Sequence, residues 1–431
     1  MALLQEDRPE EAEKAFLTAL SEAPAHAPSS VQLARIYSRW GRTEDARRTL
    51  EQALERRPNG ILLLNELGSL LIAETRAAEA RPIFERAVAV EPGNPRARLG
   101  LAESLAAIGD LEGALAALDE ARSLDVGQPG LEVYRASLLS DLGRPGEALE
   151  VLESVLESSP DAPEAQRLLG LIAYSLNRDS QSADVLARVL AKNPADVEAR
   201  VTLGKIHFRR ADYDEARLEF QRVLEDDEAS EEAHFYLGEI ALASQRFEEA
   251  ALHYQKVSLA AGRRGLAEAL LKLGRYDEAE RALDQALSGE PEPRARVETL
   301  YLLGSLRNER GDDRGSIAAL TEASRIGPHH PETRYLLGTI LARIGRGEEA
   351  RKELEAFRRL KAFEEEKEKL ELAILQRPAE ADSYRPLIEL YLENGRGAEA
   401  LPFLQKALAL APGDPALLRL SARVREGAPR C

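Results

Sequence analysis

The chain has 431 residues, 44% of them apolar and 31% charged, with 75 Asp+Glu against 58 Lys+Arg and a formal net charge of −17. That balance suits a folded, soluble protein and repels a phosphate backbone, so nucleic acid is not expected as a partner. No run of 18 apolar residues exists to span a membrane, and the single cysteine, Cys431, excludes an internal disulfide framework or a multi-cysteine zinc site.

The N-terminal stretch MALLQEDRPEEAEKAF has neither a basic leader nor a long apolar segment, so no signal peptide is visible and a cytoplasmic location is expected. The first strong helical pattern carries Ala12, Phe16, Ala19 and Leu20 and closes at Pro24. From there the pattern recurs. Pro24, Pro58 and Pro92 are spaced by 34, as are Pro160 and Pro194. Twelve residues before these prolines stand Ala12, Ala46, Ala80 and Ala148, and eight before them Phe16, Leu50, Phe84, Leu152 and Leu186. Upstream come Leu-Gly pairs at Gly68, Gly170, Gly204, Gly238, Gly304 and Gly338.

Each position has a physical reason. Small residues let neighbouring helices approach, and a larger side chain there would overpack. A second glycine, at Gly41, Gly109, Gly143, Gly274, Gly311, Gly345 and Gly395, falls between the two helices of each unit, with Asn177 in the same place. These are residues that tolerate the left-handed conformation ending a helix. The closing proline stops the second helix. Acidic pairs such as Asp277-Glu278 and Glu348-Glu349 open the second helix, where its dipole favours them.

This order of Leu-Gly, Ala, bulky residue and Pro at a period of 34 resembles the tetratricopeptide repeat over nearly the whole chain. The resemblance implies an all-α fold, an α-solenoid wound as a right-handed superhelix from about eleven to twelve antiparallel helix pairs, A then B. The expected boundaries are a half repeat at 1–26, repeats starting near 27, 61, 95, 129, 163, 197, 231, 260, 297 and 331 within a solenoid at 1–364, an extended helix or extra half repeat at 365–380, a last repeat at 381–414, and a capping helix and tail at 415–431.

Three departures stand out. The step into the repeat at 260 is short by about five residues, the linker EPEPRAR at 290–296 is longer by about three, and helix B of the repeat at 331 runs on from about 347 to about 376. Met1 falls inside the A helix of its repeat. Either MALLQ forms a stub there, or the native chain begins upstream and a leader or anchor lies with it.

The sequence contains no phosphate-binding loop, no H-E-x-x-H, no nucleophile elbow and no dinucleotide fingerprint. No cofactor or metal is expected, and neither is enzymatic activity. His207 takes the place of a repeat tyrosine and is expected in the core, His329 and His330 sit in a turn, and Trp40 is expected to pack. His234 and His253 share one repeat, but two histidines without a third ligand make a poor metal site.

The resemblance further implies that the chain binds other proteins through the concave wall lined by helix A, at repeat positions 2, 5, 9, 12 and 13. The Lys/Asn pattern of a chaperone-tail clamp is absent, since position 5 reads Val31, Asn65, Leu99, Val133, Arg167, Val201 and Phe235. The asparagine ladder of O-linked GlcNAc transferase repeats is missing as well. One stretch mixes aromatics with cations: Arg167, Tyr174, Val201, Lys205, Phe208, Arg209, Phe235 and Glu239 are the candidate partner-binding residues. They suit a peptide with apolar anchors and some negative charge. The opposing possibility is that Phe208 and Phe235 pack between repeats and the cations are solvated. The expected function is a non-catalytic scaffold or adapter for a protein or peptide partner. The alternatives are part of a larger envelope, secretion or polysaccharide-export assembly, or the regulatory arm of an enzyme in a longer chain. The N-terminal half repeat also leaves a face for self-association.

Overall fold

The computed structural model describes residues 9–124, 129–289 and 291–427. The expectations for MALLQ at 1–5, for Glu290 in the linker and for Cys431 lie outside the described residues. Among the described residues every regular element is helical, 24 α-helices and one short 3₁₀ turn, and none is a strand.

The helices alternate as A and B. Most A helices have 13 residues, from Ala27–Arg39 through Pro331–Arg343, and most B helices 14, from Thr43–Arg56 through Asp313–Ile326. Most A helices pack on their own B helix, and several touch the A helix of the next repeat, as Ala27–Arg39 touches Ile61–Ala73. One pair cannot cover its apolar face alone, so the core is a chain of neighbour contacts. Two compact units result, one up to Val223 and one from Leu224.

The 34-residue wording becomes a knob and a socket. Phe84, 1% exposed, lies over Gly68 of its own A helix and Gly100 of the next. A Cβ at Gly68 would fall 2.5 Å from the ring and one at Gly100 2.2 Å. Tyr254 uses Gly238 and Gly265 in the same way, at 2.8 and 2.4 Å. Where the knob is leucine, as at Leu186, Leu320 and Leu354, the glycine of its own repeat is the one beneath it (Gly170, Gly304, Gly338). Phe220, although aromatic, likewise sits over the single glycine of its own repeat, Gly204, at 2.9 Å. Where serine replaces the alanine twelve residues before the closing position, its hydroxyl finds an acceptor. Ser182 donates to the Gly170 carbonyl at 2.7 Å and Ser316 to that of Gly304 at 2.6 Å. That bond lets a polar group sit in the core without an unmet donor.

The turn between A and B is left-handed throughout. Gly41 has φ +72° and Asn177 φ +57°, and the other six glycines named for this turn are alike. Three repeats place Thr75, Ala211 and Gln245 there instead, at φ 59°, 62° and 57°. Those residues carry a strain of about 1–2 kcal/mol each. In several repeats an arginine follows the left-handed residue and clamps the carboxylate three residues on, while Asp110, Asp212 and Asp312 stand there in others. Arg76–Glu79, Arg144–Glu147, Arg275–Glu278, Arg346–Glu349 and Arg396–Glu399 all close with a guanidinium nitrogen 2.6–2.7 Å from a carboxylate oxygen. The acidic opening of helix B therefore serves this clamp as well as the helix dipole.

The irregular steps have local causes. Between Ala243 and Ala260 the B helix shrinks to Phe247–Tyr254, 8 residues, which absorbs the short step. The longer linker extends the next A helix backwards, to Pro293–Glu309 with 17 residues. Gly347–Gln376 is one helix of 30 residues, and the last A helix opens with the 3₁₀ turn Ala381–Ser383 before Arg385–Glu393.

Candidate functional site

Helix A side chains of the N-terminal unit place most of the candidate residues. The Arg167 guanidinium lies 3.3 Å from Asp196 and also pairs with Glu198, both of the following repeat. Arg209 stacks on the Tyr174 ring at 4.3 Å and reaches Asp179 at 2.9 Å. These two cations are thus spent on neighbouring repeats. Val201 is buried at 8% exposure and belongs to the packing of its repeat. Lys205 and Phe208 are half-buried, and the Phe208 ring sits 5.8 Å from Tyr213.

In the C-terminal unit Phe235 meets Tyr236 at 5.5 Å and Tyr254 at 6.2 Å. Glu239 accepts a hydrogen bond from the Tyr254 hydroxyl at 2.5 Å. Burial first, and that bond second, push the Tyr254 phenol far above its ordinary range. The same register read further along this unit gives Tyr301 and Tyr335 at position 5 and Glu268 at position 9. Tyr335 is exposed and lies 5.1 Å from Phe357. Burial, then the charge of Glu239, raises the Glu268 carboxyl above the usual carboxylate range. These three were missed because the position count stopped at Phe235, although the 34-residue step carries it onward.

A second surface missed at the sequence level lies between the A helices of the repeats at 27 and 61. A cavity of about 460 Å³ there is lined by Arg35, Ser38, Arg39, Glu66 and Ser69, with Leu50 and Leu70 among its apolar walls. Arg35 grips Glu66 through two bonds of 2.7 and 2.6 Å, and Arg96 joins at 3.3 Å. Charged side chains at positions 9 and 6 of successive repeats were the signal.

The histidines divide. His207 is half-buried rather than a core residue, and its Nδ1, itself buried, lies 3.8 Å from Asp212. His330 caps the helix Pro331–Arg343, its Nδ1 accepting from the Thr333 amide at 3.2 Å. His234 and His253 face each other with Nδ1 atoms 2.9 Å apart, and His234 Nε2 lies 3.2 Å from the Glu228 carbonyl. A carbonyl can only accept, so His234 carries its proton on Nε2 and His253 donates from Nδ1. Burial, then the neighbouring His234, lowers the His253 pKa below its ordinary 6.5. The folded state then holds fewer protons than the unfolded chain, and stability falls as pH drops below 6.5. In thermal melts between pH 7.5 and pH 5, His253→Gln is expected to lose less stability than wild type.

Among the described residues no group of three or more His, Cys, Asp and Glu could hold a metal ion. None of the described helices is long and apolar enough to cross a membrane.

No curated protein matches the sequence of this chain. Among solved structures, the human IFIT1 dimer with m7Gppp-AAAA is 18% identical, with 84% of this chain and 88% of that chain covered and a TM-score of 0.46. The APC/C hetero-tetramer Cut9–Hcn1 is 12% identical over 98% and 94%, at a TM-score of 0.39. YrrB, described as a TPR protein with an unusual peptide-binding site, is 15% identical over 46% and 97%, at 0.36. Tetratricopeptide repeat profiles match residues 3–64 and 71–130, and then 135–197, 201–263, 264–328, 301–365 and 367–415. With its helix pairs, its glycine sockets and these matches along nearly its full length, the chain belongs to the tetratricopeptide repeat family, whose fold serves as a protein-interaction scaffold.

Proposed function

We propose that the chain is a non-catalytic scaffold that binds a protein or peptide partner along the A helices of its repeats, in the cytoplasm. One observation carries the reading. From the repeat at 163 onward, several A-helix positions 5 and 9 hold half-buried or exposed aromatic and charged side chains (Arg167, Lys205, Phe235, Glu239, Tyr301 and Tyr335), whereas the B helices bury their knobs. In the N-terminal unit the proposed contacts are Arg167, Tyr174, Lys205, Phe208 and Arg209, with Val201 buried behind them, and in the C-terminal unit Phe235 and Glu239. Arg167 and Arg209 are already neutralised within the chain, so aromatic anchoring rather than partner charge supplies most of the affinity.

The test is affinity capture with purified protein, read by mass spectrometry, beside Lys205→Glu/Phe208→Ala. The expected result is a partner enriched by wild type and lost by the variant, with both proteins equally helical by circular dichroism. A partner kept by the variant at equal enrichment would remove Lys205 and Phe208 from the interface.

A further inference from the structure

The 30-residue helix Gly347–Gln376 changes sign halfway along. From 351 to 361 it carries five basic residues against two acidic ones, and from 364 to 371 five acidic against two basic. One side of it packs on Pro331–Arg343 and Arg385–Glu393, with Phe363 and Ile374 buried on that side. The opposite side is open.

Arg358, Lys361, Glu365 and Glu368 follow one another at steps of three and four, so they share that open face. All four are exposed, and none has an ion-pair partner among the described residues. The same steps run on to Leu372 and Leu375, which are 55% and 74% exposed. Backwards they reach Leu354, half-buried beside Gly338, and then the exposed Arg351. Alternating steps of three and four are the seam spacing of a two-stranded coiled coil.

The order of residues along this seam is its own antiparallel complement. A second copy of the helix, turned end over end about Phe363, sets Arg358 opposite Glu368 and Lys361 opposite Glu365. The same turn sets Leu354 opposite Leu372, and Leu375 on the aliphatic stem of Arg351. Two-fold symmetry makes each of these pairs occur twice, over a contact about 36 Å long. A parallel copy would set arginine against arginine and glutamate against glutamate. The ion pairs fix orientation and register, while covering the leucines supplies attraction.

We propose that two copies of this chain associate through this helix, as an antiparallel pair centred on Phe363. The surface is separate from the N-terminal half repeat and from the A-helix contacts proposed above.

The test is sedimentation velocity over a concentration series at low ionic strength. Wild type is compared with Arg358→Glu/Lys361→Glu and with the full exchange Arg358→Glu/Lys361→Glu/Glu365→Lys/Glu368→Lys. All four side chains are exposed, and unchanged circular dichroism melts show that both variants fold. The expected result is a reversible wild-type dimer. In the two-site variant every charged pair becomes glutamate against glutamate, and the dimer is expected to weaken about a hundredfold. In the four-site variant every facing pair is again opposite in charge, and the dimer is expected to return. A wild type that stays monomeric overturns the proposal. So does a two-site variant that dimerises as tightly as wild type, which would place self-association on another face. A four-site variant that fails to recover overturns the antiparallel register and the proposal with it. Each of these outcomes leaves the capture experiment on Lys205 and Phe208 unaffected.

Discussion

Gly100→Ala is expected to destabilise the N-terminal unit by about 1–3 kcal/mol, a large effect for one methyl group. The new Cβ would stand 2.2 Å from the Phe84 ring, which is itself fully enclosed and also seated over Gly68. Neither helix can retreat without opening the contacts on its far side. The matching variant Phe84→Leu shortens the knob, and leucine is what other repeats place there, as at Leu186 over Gly170. Gly100→Ala/Phe84→Leu is therefore expected to recover part of the loss, a coupling that urea denaturation of the four variants would measure. Hydrogen exchange should show the weakening concentrated in residues 61–107, because each repeat leans only on its neighbours. Additive losses in the cycle would mean that the knob and socket are not one contact.

Glu219→Leu is expected to cost about 3–5 kcal/mol, since it strands a buried guanidinium. Arg200 and Glu219 are 8% and 9% exposed, and join helices A and B of one repeat at 2.8 Å. Arg200 also donates to the Pro194 carbonyl, and Glu219 accepts from Arg222 at 3.1 Å. Removing both charges together is a different matter. Arg200→Met/Glu219→Leu is expected to lie within about 1–2 kcal/mol of wild type, because two apolar side chains of similar length restore the packing. Thermal melts of the two variants side by side decide the point. A double variant as unstable as the single one would show that the pair itself, and not the orphaned charge, sustains the repeat.

Much of the fold was legible because each signal was repeated. Glycine at a left-handed turn is one residue type doing one job, and Gly41 through Gly395 announce it. Thr75, Ala211 and Gln245 adopt the same backbone with no compositional hint, because packing on both sides imposes it. The second half of the aromatic socket, Gly100 and Gly265, was hidden for another reason. Each belongs to the repeat after its knob, and a pattern read one repeat at a time does not pair them. The candidate surface was less legible still. The sequence shows that Arg167 and Arg209 are cations, but not that Asp196, Glu198 and Asp179 lie within reach of them. Surface charge is settled by side chains some thirty positions away, and no period reports that.

The seating of Phe84 between Gly68 and Gly100 bears on how such a chain can change over generations. Half the instruction for the Phe84 and Tyr254 knobs is written in the following repeat. Duplicating or deleting a segment of 34 residues keeps the helices in phase, wherever the cut falls. A cut of any other length shifts the phase, much as a frameshift garbles every later codon, until some helix takes up the difference. Phe247–Tyr254 and Gly347–Gln376 are two such places, one shortened and one prolonged. They mark where a lineage of such proteins can acquire geometry that its regular repeats would never produce.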